Sequence, residues 1–139
     1  MLRCRSVGVR KFEDLVVWQL SWELQQEVFE FTATKPASLD GDFCDQIRDS
    51  SRSAPRNIAE GFARYYPKEF IRFLRIAAGS LQETRNHLLD AHKLGYLSKA
   101  ELNRLVRLSL RAFKAATRLI AYLQRADPPD PFSSAEELQ

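Results

Sequence analysis

Five basic residues carry the clearest chemical pattern in the chain. Arg104, Arg107, Arg111, Lys114 and Arg118 recur at alternating intervals of three and four, the spacing that places side chains on one face of an α-helix. Like charges so spaced repel, and ordinary solvated helix faces mix signs, yet only Glu101 offsets the stripe. An external anion would relieve that repulsion. Arginine predominates, and its planar fork engages phosphate bidentately, so the stripe is a candidate binding surface for RNA or DNA. No aromatic residue interleaves with it to stack on bases, and Tyr122 lies only at its edge. The negative charge could also come from the protein. Gln19, Glu23, Gln26, Glu27 and Glu30 form an acidic strip on the first expected helix, in the same subunit or in a neighbour. A solvated face with partial pairing fits the pattern nearly as well.

Other groups offer less. Glu60 and Glu83, if they faced one another, would imitate an acid/base pair, but no nucleophile accompanies them. His87 and His92 stand five apart, off the shared face that an i, i+4 zinc pair needs. Cys4 and Cys44 lack metal-ligand spacing and fit a reducing compartment better than a disulfide framework. There is no glycine-rich phosphate loop, serine elbow or repeated Glu-x-x-His. The expectation is a protein that is not an enzyme and needs no cofactor or metal.

The elements that must position these residues read as helices. In 139 residues, 45% hydrophobic and 28% charged, the 5 glycines leave little room for strands and turns. The length suits one domain with a real core. A formal charge of +3 and a pI near 9.0 favour an anionic partner mildly. No apolar run approaches the ~20 residues of a membrane span. Residues 1–11 are basic without the apolar centre of a secretory signal, so the expected location is cytoplasmic. The bundle should cover 12–126. Asp127-Pro128-Pro129-Asp130-Pro131 then halts any helix and opens an acidic tail, 127–139.

The first helix should run from about Glu13 to Thr34. Leu15, Trp18, Trp22 and Phe29 fall on one side of it, and Val17, Leu20, Leu24, Val28 and Phe31 on the other. A helix apolar on two sides is buried on two sides, so the first set is the expected oligomer interface. The second helix should start after Ser38 or Asp40, with Phe43, Ile47, Ser50, Ala54, Ile58 and Gly61 inward. Pro55 lies within it, and Ser50, Ser51 and Ser53 carry hydroxyls able to bond nearby carbonyls, which together predict a bend and not a break. Gly61 stands where a C-terminal stop would be expected. The third helix opens at Pro67 and reaches about Leu94, presenting Phe70, Leu74, Ala77, Leu81 and Leu88 inward. Its small patch, Ala77 to Ser80, matches the small residues of the second helix and lets the two backbones approach closely. Ser98-Lys99-Ala100-Glu101 is a capping box for a fourth helix ending near Arg125. Its expected inward side comprises Leu102, Leu105, Ala112, Phe113, Ala116, Ile120 and Leu123. The fold class is thus an all-α, up-and-down antiparallel four-helix bundle, with its second helix bent at Pro55.

Ser53-Ala54-Pro55-Arg56-Asn57-Ile58-Ala59-Glu60-Gly61, then Phe70 to Leu74 and Ile76 to Glu83 with Gly79 and Ser80 inside it, carry a resemblance, joined by Phe12 to Trp18 and Leu94 to Leu97. These stretches resemble the family of four-helix-bundle proteins encoded in intervening sequences of bacterial large-subunit ribosomal RNA, with the accessory proteins of diversity-generating retroelements as relatives. The resemblance implies a homo-oligomer, a pentamer of four-helix subunits around a channel. It also implies a basic surface that engages nucleic acid together with a reverse transcriptase. For Ser53, Pro55, Asn57, Glu60, Gly61, Gly79, Ser80 and Glu83 the reading is structural, as hydrogen-bonding and packing residues around the bent helix. The rival to nucleic-acid binding is an oligomeric adaptor whose basic stripe is used in subunit contacts.

Overall fold

The computed structural model describes residues 9–64 and 66–126. Four helices make up the bundle: α1 (Val16–Thr32), α2 (Gly41–Ala63), α3 (Pro67–Lys93) and α4 (Lys99–Ala126). Each packs on its neighbours in sequence, and α4 returns to α1 to close the ring. Connections this short force each helix to run antiparallel to the one before it. No strand occurs among the described residues. The acidic tail 127–139, Cys4 and most of the basic N-terminal segment lie outside the described residues.

Local chemistry sets the helix ends. Phe12–Asp14 forms a single 3-10 turn and Leu15 is extended (φ −73°, ψ 127°), so α1 begins at Val16, three residues later than expected. The Gln19 side chain reaches back and donates to the Glu13 carbonyl at 2.9 Å. Asp40 caps α2 by accepting from the Phe43 N–H at 3.2 Å, and takes a 2.6 Å hydrogen bond from the Tyr96 hydroxyl across the same end of the bundle. Pro67 occupies the first turn of α3, where its missing N–H removes no helical bond. At the far end of α3, Gly95 takes φ +86°, with its N–H on His92 O (3.0 Å) and the Tyr96 N–H on Ala91 O (2.8 Å). That pair of bonds is a Schellman stop, for which glycine is the favoured residue. The Ser98 capping box forms as expected: Glu101 N–H donates to Ser98 Oγ at 3.1 Å, and Ser98 N–H to Glu101 Oε1 at 2.9 Å.

The core is aliphatic. Leu24, Val28, Ile47, Ile58, Phe70, Leu74, Leu81, Leu88, Leu105 and Leu123 are almost wholly buried. Burial of one such side chain contributes roughly 1.5–3 kcal/mol relative to exposure. Phe113 and Ile120 are only half-buried, unlike the rest of the expected inward side of α4.

Pro55 is buried inside a helix that runs unbroken from Gly41 to Ala63. Ser50 and Ser51 donate to the carbonyls of Ile47 (3.2 Å) and Arg48 (3.1 Å) one turn ahead. Gly61 is not the helix stop: α2 continues to Ala63 and ends as Arg64 turns extended. Its requirement is space. A Cβ at Gly61 would lie 2.6 Å from Phe73 Cβ and 3.0 Å from Phe70 Cδ1.

Candidate nucleic-acid interface

A 28-residue helix with apolar residues on one side and cations on the other builds the candidate surface. Leu102, Leu105, Ala112, Ala116 and Leu123 anchor α4 in the core, and this fixes the rotation of the helix. Arg104, Arg107, Arg111, Lys114 and Arg118 are consequently all exposed. At 1.5 Å per residue the stripe is about 21 Å long.

One cation is partly neutralised within the subunit. Arg104 meets Glu27 of α1 at 2.7 Å, the arginine side chain 57% exposed and the glutamate 27%. An exposed pair of this kind is worth ~0–1 kcal/mol. Arg107, Arg111, Lys114 and Arg118 have no ion pair with a carboxylate among the described residues. The Glu101 carboxyl is held below the usual range, chiefly by the Ser98 N–H, then by the Ser98 hydroxyl, with Arg104 a smaller contributor. It therefore stays ionised as part of the cap and neutralises little of the stripe.

Beside the stripe, Arg118 borders an open groove of about 420 Å³ between the start of α1 and the second half of α4. Leu15, Val16, Val17, Ala115 and Leu119 supply its apolar wall, and Val9 and Asp14 complete the lining. Sequence periodicity could not have revealed it, because the groove depends on where the chain before α1 crosses α4.

The outer side of α1 divides in two. Trp18 stacks on Trp22 at 5.2 Å, and Phe12 meets Trp18 edge-on at 5.3 Å. Trp22 remains 44% exposed and Val16 60%. Leu15, expected on this face, lies in the core at 5% exposure. It precedes the helix in extended backbone, so the helical wheel does not govern its direction. Phe29 is half-buried beneath two guanidinium groups of α2, with Arg48 at 4.8 Å and Arg52 at 5.3 Å from its ring centroid. Arg48 also donates to Thr32 Oγ1 at 2.8 Å.

The motif residues on α2 and α3 form a hydrogen-bonded seam. Ser53 Oγ lies 2.7 Å from Ser80 Oγ, and Asn57 Nδ2 donates to the Ser53 carbonyl (2.8 Å) and hydroxyl (3.0 Å). Ser80 donates to the Ile76 carbonyl at 3.1 Å, so the shared proton between the serines comes from Ser53. Thr84 Oγ1 is 2.9 Å from Ser50 Oγ and 2.8 Å from the Ser80 carbonyl. Gly79 faces outward, with nothing within 4 Å of where a Cβ would stand.

Glu60 and Glu83 do not meet. Glu60 pairs with Arg64 one turn on at 3.0 Å, 51% exposed, and Glu83 approaches His87 at 3.6 Å, 61% exposed. The acid/base reading of these two residues has no geometric basis. His92 Nδ1 lies 2.9 Å from the Leu97 carbonyl and holds the α3–α4 connection. Cys44 Sγ is buried and directed at the carbonyls of Ala37 (3.1 Å) and Thr32 (3.6 Å), and burial pushes its thiol pKa up. Such a thiol is a poor nucleophile. No group of three His, Cys, Asp or Glu is arranged to hold a metal among the described residues. Nor is any helix among them long and apolar enough to cross a membrane.

The model of a family described as 23S rRNA-intervening sequence protein covers residues 13–116, from the 3-10 turn into α4. No curated protein matches the chain.

Proposed function

This chain belongs to the 23S rRNA-intervening sequence protein family, and from that premise we propose that it is a non-enzymatic, self-associating bundle that binds RNA or DNA through the basic face of α4. The observation that carries the reading is the run of four exposed cations, Arg107, Arg111, Lys114 and Arg118, none paired with a carboxylate among the described residues. Uncompensated cations along about 16 Å of rigid helix suit a row of phosphates, and the arginines among them suit bidentate contact. Self-association is supported by the exposed Trp22 stacked on the half-buried Trp18 beside the exposed Val16, an apolar cluster of the kind that marks interaction surfaces. A ring of such subunits, pentameric by the family resemblance, would repeat each stripe by symmetry and strengthen its field. Service as accessory subunit to a reverse transcriptase, in the cytoplasm, belongs to the same reading.

The second reading is an adaptor whose basic stripe joins subunits. It is favoured by the 2.7 Å Arg104–Glu27 contact, which is the chemistry that would join α4 of one copy to α1 of the next. Reversal of Arg107, Arg111 and Lys114 to glutamate separates the two. Light scattering coupled to size exclusion, at low and high salt with a structured RNA, is the measurement. Nucleic-acid binding predicts an intact oligomer that no longer shifts with RNA, while the wild type shifts at low salt and not at high salt. Loss of the oligomer itself would favour the adaptor.

A further inference from the structure

Two helices of the bundle hold large apolar side chains out to solvent: Val16 and Trp22 on α1, Ile76 and Leu89 on α3. Among the described residues α2 and α4 expose none. α1 and α3 occupy opposite corners of the bundle, each packed on α2 and α4, so their outer faces cannot cover one another within one subunit. We propose that the face of α3 on a second copy of this chain covers the outer face of α1, with Trp22 seated against Ile76. The inference rests on the self-association proposed above and names the two surfaces that make it.

Charge selects this pairing among the alternatives. From Phe12 to Thr34 the chain has no Lys, Arg or His, and it carries Glu13, Asp14, Glu23, Glu27 and Glu30. Of these acids only Glu27 pairs with a cation, Arg104, among the described residues. Two α1 faces set against each other would oppose like charges, which is costly at an interface. The first half of α3 has the opposite character. Lys68, Arg72 and Arg75 are exposed there, and Glu69 is taken up by Arg72 at 3.2 Å. Lys68 and Arg75 have no carboxylate partner among the described residues. α4 is cationic too, but without a large exposed apolar side chain it would leave Trp22 bare. Only α3 combines cations with an apolar seat.

The topology allows the contact to repeat. In an up-and-down bundle α1 and α3 run the same way. Copies related by rotation about an axis parallel to the helices therefore bring α1 of one alongside α3 of the next in parallel, a head-to-tail contact that leaves every copy with both faces in use. With Trp22 level with Ile76, one turn back on each helix sets Trp18 level with Arg72, and two turns back set Asp14 level with Lys68, about 12 Å from the centre. Arg75 falls within about 3 Å of Glu23 along the axis. A guanidinium beside the stacked Trp18 and Trp22 adds cation–π attraction. The apolar contact ends short of Gly79, which comes level with the flexible side chains of Gln25 and Gln26. Further on Glu30 and Glu83 come level, where helices crossing at about 20° have begun to diverge, and Leu89 lies beyond the contact.

Two full-length variants test the pairing. Trp22→Glu spoils the α1 face and Ile76→Glu the α3 face; far-UV circular dichroism checks that each folds, and light scattering coupled to size exclusion gives the mass. Wild type is expected to associate, and each variant alone to run as a monomer. Mixed in equal amounts, the two variants keep one intact pairing, Trp22 of the Ile76→Glu copy against Ile76 of the Trp22→Glu copy. The mixture should therefore run at about twice the monomer mass and no larger. A third variant, Lys68→Glu with Arg75→Glu, changes only exposed side chains that make no ion pair within the subunit. It should weaken association about tenfold or more, with part of the loss recovered at high salt. An associated wild type whose mass survives both Ile76→Glu and the Lys68→Glu, Arg75→Glu change overturns this inference and leaves self-association through another surface standing. A mixture of two folded monomeric variants that stays monomeric overturns it as well. A wild type that is monomeric at every concentration overturns it together with the self-association of the proposed function.

Discussion

The same substitution, glycine to alanine, should have opposite effects at two positions of the α2–α3 pair. At Gly61 the added Cβ meets Phe73 Cβ at 2.6 Å, about 0.8 Å inside ordinary contact, and Phe70 Cδ1 at 3.0 Å. Phe73 Cβ is fixed to the backbone and cannot swing aside, so α2 and α3 must part. Overpacking costs about 1–3 kcal/mol, and so deep an overlap with an immobile atom falls at about 2–3 kcal/mol, against a helix-propensity gain of roughly 1 kcal/mol. The expected net loss is ~1–2 kcal/mol, a fall in Tm of about 3–8 °C. At Gly79 nothing lies within 4 Å of the new Cβ, so only the propensity gain acts, ~0.5–1 kcal/mol and about 2–4 °C upward. Thermal unfolding followed by far-UV circular dichroism measures both, at one fixed protein concentration because self-association makes Tm concentration-dependent. A Gly61→Ala variant as stable as wild type would refute the close approach at that seam. A destabilised Gly79→Ala variant would show that another molecule covers that face of α3.

Two other outcomes follow from the seam and the caps. Thr84→Val keeps shape at a wholly buried site but removes the hydroxyl that bridges Ser50 and the Ser80 carbonyl; chemical denaturation should register a loss of about 1 kcal/mol, and an unchanged midpoint would sink the assignment. Asp40 and Glu101 are both held below their ordinary carboxyl range, the first mainly by the Tyr96 hydroxyl and then the Phe43 N–H, the second mainly by the Ser98 N–H. A depressed folded pKa contributes stability above the unfolded value, and that contribution is lost as pH falls through about 4 and below. Tm measured from about pH 6 down to 2 should decline through this window, and the Asp40→Asn, Glu101→Gln double variant should decline less steeply. Parallel curves would contradict the linkage.

Most of the bundle was legible because helix chemistry is local. Asp40, Pro67 and the Ser98–Glu101 box announce helix starts through the hydrogen bonds they make or omit within one turn. The basic stripe was legible for the same reason, since a period of 3.6 residues places Arg104 to Arg118 on one face before any partner is known. Failures occurred where the chain leaves that period. Leu15 sits in extended backbone and turns into the core, although the wheel placed it with Trp18 and Trp22. Gly61 was read as a stop from its local type, whereas its role is set by Phe70 and Phe73 on the facing helix.

The sequence by itself determined the four helices, their caps and the cationic face of α4, because each depends on groups within about a turn of one another. Only the tertiary structure decided which charges keep a partner. Arg104 finds Glu27 on α1, 77 residues away in the chain, and the four cations beyond it do not find a carboxylate among the described residues. It also decided that Phe29 lies under Arg48 and Arg52, and that α1 and α4 leave an apolar groove at Arg118. Contacts of this kind depend on how rigid helices rotate and pack against each other, and packing is a property of pairs of elements that no single helical stretch contains.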